Sequence, residues 1–311
     1  MDITKRSTSP LMRQLFGEDI GIIAKDYNNH IAEIAKKNPC LKGVFSECTN
    51  RTGFLLPYLS AEYGYYSVKG SFIPMQMKKI VMGFGLIGLA VSIDDDVSDE
   101  YSYDHLKMVQ NVSASELIQN LAYRLIFESD AVVESKIVMS EISNALSSTA
   151  VYQCADAENI ASFDNTGFDI SKYLYAARKT SCPIKYGLRL GMLLGNGNDY
   201  TRTGEFIGEH LGIVLQLIDD LIDINDDIKN YKGSVTLPIF LINNGISIEI
   251  IFNMIDRSLC KCTRKAKNLP FRNKICQMIK GFYDIKNSTR TKFYEKLLKD
   301  KDRMRVLPGF I

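Results

Sequence analysis

The sequence predicts an all-α fold, and two observations support this. Apolar residues recur at spacings of three and four along most of the chain, whereas the alternating pattern of a strand is nearly absent. The eight prolines fall mainly between helix-like segments, and no Pro/Gly/Ser-rich linker divides the 311 residues. We therefore expect one large helical bundle over residues 1–311, with an N-terminal helical segment over 1–50 and a core over 55–300.

Nine segments carry the helical periodicity. Cap residues at Ser113-Ala114-Ser115-Glu116 precede one apolar run, and Gly195-Asn196-Gly197-Asn198 is typical of a helix stop. Because facing helices of a bundle supply side chains to a shared central site, we expect a cavity along the bundle axis. In chain order the predicted segments are 17–37, 75–94, 114–127, 130–154, 170–194, 203–227, 235–244, 247–267 and 271–298.

Composition and charge give little indication of a binding partner. Apolar residues make up 46% of the chain, enough for a substantial core, and the formal net charge of +2 gives no indication of nucleic-acid binding. Basic runs occur in the C-terminal third, at 261–267 and 296–305. We interpret them as solvated helix faces in preference to a surface that binds an anionic membrane.

The cysteines and the apolar runs predict a cytoplasmic protein. The seven cysteines are odd in number and have no CxxC spacing, which indicates reduced thiols. No apolar run of a signal peptide follows Met1. The longest apolar stretch, 80–93, contains three glycines and is too short to span a bilayer. We therefore expect no transmembrane segment.

Two aspartate clusters are the strongest functional signal. Asp95-Asp96-Val97-Ser98-Asp99 and Asp219-Asp220-Leu221-Ile222-Asp223 share the pattern DDxxD, each after an apolar run of helix length. Carboxylates at i and i+4 lie on one helical face, where three of them repel one another. Mg²⁺ prefers oxygen ligands and binds phosphates, so it would stabilise two such faces turned toward each other. The pair predicts a metal-held phosphorylated ligand between two helices.

A solvated helix end and a calcium loop account for the clusters less well. A solvated helix end is the usual reason for one such run, but the apolar flanks at 86–93 and 211–218 argue against a solubilising surface. A calcium loop would need alternating acids and a mid-loop glycine, which neither cluster has.

Three further segments accompany the clusters in a characteristic order. They are Gln153 with Asp156, the run from Tyr173 to Lys179-Thr180, and the loop from Lys232 to Pro238, in which Ser234 takes the usual lysine position. Together the five segments resemble the motifs of trans-prenyl diphosphate synthases of the polyprenyl synthetase family, over roughly residues 55–300. In the first cluster Asp94 stands where a His is common.

The resemblance implies an isoprenoid-synthase-type bundle that binds a prenyl diphosphate with Mg²⁺, about three ions, and it implies a homodimer. Small residues at Ala90 and Val91 would admit a prenyl chain of about 15 to 25 carbon atoms. The implied metal ligands are Asp95, Asp96, Asp99, Asp219 and Asp223. Asp220 and Lys179 join them as catalytic residues, and the substrate-binding residues are Lys179, Thr180, Gln216, Gln153, Lys232, Ala90 and Val91.

The chain departs from the family where a second substrate, isopentenyl diphosphate, would bind. The stretch 68–74 is similar to the family's Gly-Gly-Lys-x-x-Arg-Pro segment, but Ile73 replaces the arginine and Lys69 is out of register. No arginine occurs over 100–107, where the family has a pair. Arg suits bidentate phosphate capture, and these replacements do not.

Four functions are compatible with this pattern. The leading hypothesis is a terpene cyclase that ionises one prenyl diphosphate. The alternatives are a chain-elongating prenyl diphosphate synthase with replacement cations, a prenyltransferase to another acceptor, and a non-catalytic partner subunit. Both acid clusters argue against the subunit, because it has no need for six repelling carboxylates. The candidate replacement cations are Lys69, Lys78, Lys79 and Lys107.

Overall fold

Ten α-helices make up most of the described structure. The computed structural model describes residues 14–16, 32–33, 36–39, 55–99, 105–129, 131–166, 168–229 and 236–299, with backbone alone at 96–99, 105–107, 159–166, 225–229 and 296–299. No strand occurs in these ranges, so the all-α prediction is confirmed. The helices are α1 Leu55–Lys69, α2 Met75–Asp99, α3 His105–Phe127, α4 Val132–Thr166, α5 Ile170–Ala176, α6 Cys182–Leu194, α7 Thr201–Lys229, α8 Leu237–Asn243, α9 Glu249–Ala266 and α10 Asn273–Lys299.

Among the described helices, the predicted boundaries differ from the observed ones most clearly at three places. α3 begins at His105 and continues through 113–116, so those cap-type residues do not start a helix. α4 extends to Thr166, twelve residues beyond the predicted end at 154. The predicted helix 170–194 is interrupted by a 3₁₀ turn, Ala177–Ser181, which separates α5 from α6.

The interruption follows from Pro183. This residue stands at the start of α6 and has no N–H to donate to the carbonyl of Lys179. The Cys182 N–H bonds that carbonyl instead, which is the i→i+3 pattern of a 3₁₀ helix. The chain therefore tightens at the Lys-Thr pair.

α1 is absent from the predicted segments because it has no polar face. Twelve of its 15 residues are buried, so its sequence shows no amphipathic period. α6 packs against it almost backbone to backbone. A Cβ at Gly191 would lie 1.9 Å from the carbonyl oxygen of Ala61, and one at Gly64 would lie 2.2 Å from that of Leu188. Glycine is required at both positions for this close approach.

The long helices give the bundle two distinct ends. α1 and α2 pack together and are joined by the short connection 70–74, so they run in opposite directions. At 1.5 Å per residue, Asp95 lies about 30 Å along α2 from Met75. Gly197, just before α7, packs against Val68 of α1, and α7 carries Asp219 toward its far end. We call the two ends the connection end (70–74) and the aspartate end (Asp95 and Asp219).

Among the described helices, α2 is long and apolar enough over Met75–Asp95 to cross a membrane by length and composition, with a mean hydropathy of 1.4. Of the most apolar stretch of this helix, 56% is buried inside the fold, which is the usual condition of a core helix.

Among the described cysteines, Cys154, Cys182, Cys260, Cys262 and Cys276 are all free thiols.

Candidate functional site

Lys179 joins two of the predicted motifs at the aspartate end. Its Nζ lies 2.7 Å from Oδ2 of Asp156 on α4 and 3.8 Å from Oδ1 of Asp95 on α2. The side chain of Lys179 is only 18% exposed, so these carboxylates fix where its charge is held. A cation therefore stands directly beside the first aspartate cluster.

The 3₁₀ turn distributes three consecutive side chains to different neighbours. With three residues per turn, successive side chains are about 120° apart. Lys179 extends toward α2 and α4, whereas the Arg178 Nε lies 3.3 Å from the carboxylate of Glu209 on α7. Thr180 Oγ1 donates to Gln216 Oε1, also on α7, at 2.5 Å. The turn thus connects the first cluster to the helix that carries the second.

A hydrogen-bonded chain continues from Gln216 into the second cluster. Gln216 Nε2 donates to Oδ1 of Asp220 at 2.8 Å, and the Tyr173 hydroxyl donates to the other oxygen, Oδ2. Burial, followed by the neighbouring Asp220 carboxylate, raises the pKa of the Tyr173 hydroxyl well above its usual value. Tyr173 is therefore protonated and remains a donor. Asp220, only 6% exposed, is held inside the fold by two donors.

The other two acids of the second cluster have a different environment. Asp219 and Asp223 are exposed and lie one turn apart on α7, so their carboxylates share a face. Among the described side chains no three acids, histidines or cysteines come together as a preformed metal cage. The exposed carboxylates nevertheless fit Mg²⁺, which takes one or two carboxylates and completes its shell with water and phosphate oxygens.

The remaining site residues fall into two groups. Gln153 is half-buried on α4, one turn before Asp156; Ala90 is fully buried and Val91 half-buried on α2, one turn before the first cluster. The side chains of Asp96 and Asp99, and all of Lys232, lie outside the described residues. Asp94 is exposed, and partial desolvation raises the pKa of its carboxyl.

The position assigned to isopentenyl diphosphate is wrong. The stretch 68–74 forms the connection end, so it lies about 30 Å from Asp95 along α2. Ile73 is buried there, and its N–H donates to the buried Glu62 carboxylate at 2.8 Å. Lys79 is still about 24 Å from Asp95, beyond the reach of a lysine side chain. Lys69 and Lys78 are farther away, so none of these three can replace a cation beside the first cluster.

Two functional candidates were missed by the site prediction. Asp156 holds Lys179, and Tyr173 holds Asp220. Both belong to segments that resemble family motifs, and Asp156 stands one turn after Gln153 on the same helical face. That spacing was the available signal for Asp156. The pairing of Tyr173 with Asp220 joins residues 47 apart in sequence, so no local pattern indicates it.

Comparison with known proteins agrees with the fold and with the motifs. The family model for polyprenyl synthetase matches residues 100–235. No curated protein sequence matches the chain. Among solved structures, a geranylgeranyl pyrophosphate synthetase from the archaeon Geoglobus acetivorans has a TM-score of 0.64 at 16% identity, covering 86% of this chain and 99% of its own.

Two bacterial structures are similarly related. The decaprenyl diphosphate synthase of Rhodobacter capsulatus has a TM-score of 0.61 at 17% identity and covers 90% of this chain and 98% of its own. The heptaprenyl diphosphate synthase of Staphylococcus aureus has a TM-score of 0.63 at 16% identity, covering 85% and 96%. These likenesses show the shared fold. The family model adds that residues 100–235, somewhat less than half of the chain, are similar in sequence to polyprenyl synthetase.

Proposed function

We propose that the protein is a Mg²⁺-dependent trans-prenyl diphosphate synthase, which joins an allylic prenyl diphosphate to isopentenyl diphosphate. The observation that carries the proposal is the position of Lys179 and Thr180 between the two aspartate clusters. A cation, a hydroxyl and exposed carboxylates gathered at one end of an apolar bundle suit a diphosphate with a hydrocarbon tail.

In this proposal the chain's own residues bind and orient the allylic diphosphate. Lys179 is the cation for the diphosphate oxygens, and Asp156 positions it. Asp95, Asp219 and Asp223 would hold Mg²⁺, which when bound neutralises the charge on the leaving diphosphate. Gln216 is an uncharged dipole that would steady an allylic cation without capturing it. Apolar neighbours such as Leu217 and Ile218 keep water from that cation.

The proposed reaction then proceeds in three steps. The carbon–oxygen bond to the diphosphate breaks, and the allylic carbon bonds to the terminal carbon of the isopentenyl double bond. A proton then leaves the carbon next to the resulting cation, which forms a new double bond, and an oxygen of the released diphosphate accepts that proton. Lys179 stabilises the negative charge on the released diphosphate. The product is a longer prenyl diphosphate.

Chain elongation is preferred to cyclisation for two reasons. One of the two arguments for a cyclase was the loss of cations over 68–74, and that stretch is too far from Asp95 to bear on substrate binding. The structural relatives are, by name, synthases of geranylgeranyl, decaprenyl and heptaprenyl diphosphates.

A terpene cyclase remains the second candidate because one observation favours it. The sequence over 100–107 contains no arginine, and Lys107 is its only lysine. A diphosphate that loses a charge-assisted contact loses about 1.5–3 kcal/mol of binding free energy. Weak binding of isopentenyl diphosphate would leave ionisation of a single substrate as the main reaction.

The deciding experiment is a product analysis with purified protein and Mg²⁺. Farnesyl or geranylgeranyl diphosphate is supplied with and without isopentenyl diphosphate. Longer prenyl diphosphates that form only with both substrates support elongation. A hydrocarbon or alcohol formed from the single substrate overturns it in favour of cyclisation. Asp95→Ala and Asp219→Ala serve as inactive controls, and activity in both would contradict the role given to the carboxylates.

A further inference from the structure

The connection end carries exposed apolar side chains that the proposed reaction does not use. Phe72 is 37% exposed, Met75 73% and Phe271 47%. The turn between α9 and α10 is fixed to the end of α1, because the Phe271 N–H donates to the Ser67 carbonyl at 3.0 Å. Large exposed apolar residues on neighbouring turns of a soluble fold are a sign of an interaction surface.

Cations surround these residues, whereas the nearby carboxylate of Glu62 is buried and accepts from the Ile73 N–H. Residues 63–93 contain three lysines and no Asp or Glu, and residues 257–283 contain eight Lys or Arg and no Asp or Glu. The Lys274 Nζ lies 5.3 Å from the centre of the Phe72 ring, which joins the two segments. Lys69 and Arg272 are exposed beside the aromatic residues in sequence.

Acids do occur on other turns of the connection end. Glu128 at the end of α3 is paired with Arg124 at 2.6 Å, and Asp199 lies in the turn before α7. The acid-free surface is therefore confined to the α1–α2 connection and the α9–α10 turn. We call it the basic-aromatic edge, which consists of Lys69, Phe72, Met75, Phe271, Arg272 and Lys274.

We infer that the basic-aromatic edge docks the protein on an anionic lipid bilayer. Apolar side chains at turn tips can enter the boundary between headgroups and acyl chains, while neighbouring cations are attracted to anionic headgroups. The charge complementarity selects this occupant over a neutral apolar partner. The edge lies about 30 Å from Asp95, so docking leaves the aspartate end accessible. The inference does not depend on the reaction proposed above.

Vesicle binding tests this directly. The full chain is mixed, without substrate, with phosphatidylcholine vesicles that contain about 30% phosphatidylserine, or none, and the bound fraction is measured by flotation. We expect binding to the anionic vesicles alone, reduced by salt. Removing an apolar tip with Phe72→Ser should weaken binding about tenfold. Reversing one charge with Arg272→Glu should weaken it about twenty-five-fold, since each cation contributes about fivefold.

Matched controls carry the same chemical changes at the other end of the bundle. Ile250, 43% exposed at the start of α9, is replaced by Ser, and the exposed Lys292 on α10 by Glu. Circular dichroism and Tm show that every variant is folded. The inference is overturned if the control variants weaken vesicle binding as much as the edge variants do. Equal binding to polyuridylic acid, unaffected by Phe72→Ser, overturns it in favour of a general polyanion site. Absence of vesicle binding by the wild type also overturns it.

Discussion

Replacing Tyr173 with Phe isolates the contribution of one hydroxyl to the site. The ring is retained, so packing is unchanged, but Asp220 loses the donor on its Oδ2. Asp220 is buried and keeps the hydrogen bond from Gln216 at 2.8 Å. We expect a folded protein that is measurably less stable, because a buried carboxylate loses the hydrogen bond from the Tyr173 hydroxyl.

The magnitude follows from the type of bond that is lost. A hydrogen bond to a charged group contributes about 1.5–3 kcal/mol, and the remaining Gln216 donor places the loss in the lower half of that range, about 1.5–2 kcal/mol. For a chain of this size, Tm falls about 2 °C per kcal/mol, so we expect a decrease of about 3–4 °C at neutral pH. Differential scanning calorimetry measures it.

The pH dependence gives a second, independent signature. Burial and Asp220 raise the pKa of the Tyr173 hydroxyl above its usual value of 10.0, so the unfolded chain ionises first. The stability due to Tyr173 is therefore complete below about pH 10 and is lost as the pH rises, by up to about 1.4 kcal/mol per pH unit. The phenylalanine variant has no such loss, so the Tm difference from wild type should shrink as the pH is raised.

Tyr175→Phe is the matched control. Tyr175 lies on the same helix, is 41% exposed, and keeps its ring contact with Tyr152 when the hydroxyl is removed. Its Tm should differ from wild type by less than about 1 °C. If both variants have the same Tm, or the deficit of Tyr173→Phe does not change with pH, Tyr173 does not stabilise Asp220.

Three other predictions concern the same framework. Asp156→Asn removes the negative charge 2.7 Å from the Lys179 ammonium, and we expect kcat/KM to fall about ten- to hundredfold with little change in Tm. An unchanged kcat/KM would contradict the positioning role of Asp156. Gly191→Ala places a Cβ 1.9 Å from the Ala61 carbonyl oxygen, so denaturant unfolding should show a loss of about 2 kcal/mol or more, despite the better helix propensity of Ala. Asp219→Asn changes an exposed side chain, so activity should fall about a hundredfold while the unfolding midpoint stays near that of wild type; a comparable loss of stability would mean that Asp219 is structural.

The helical fold was predictable because its signal is local. α7 and α9 have one apolar and one polar face, so their apolar spacing indicates helices directly. α1 gave no such signal, since it is buried on every side. Pro183 interrupts a predicted helix through one missing N–H, a detail that periodicity does not resolve.

The residues of the candidate site could be predicted from short motifs, but their positions relative to one another could not. Asp95, Lys179 and Asp219 belong to short motifs, and sequence spacing placed the acids on helices. The prediction for 68–74 was wrong because a short motif carries no information about distance. Twenty residues of α2 place that stretch at the opposite end from Asp95. The partner of Tyr173 depends on tertiary packing and could not be inferred locally.

The 3₁₀ turn holds two neighbouring side chains against different helices. Arg178 and Lys179 share a peptide bond, and the first is held by Glu209 on α7 while the second is held beside Asp95. A substitution at Glu209 would remove the contact of Arg178 and leave the Thr180–Gln216 hydrogen bond to hold the turn against α7. The surface of α7 at Glu209 is thereby coupled, through the backbone of the turn, to the position of Lys179.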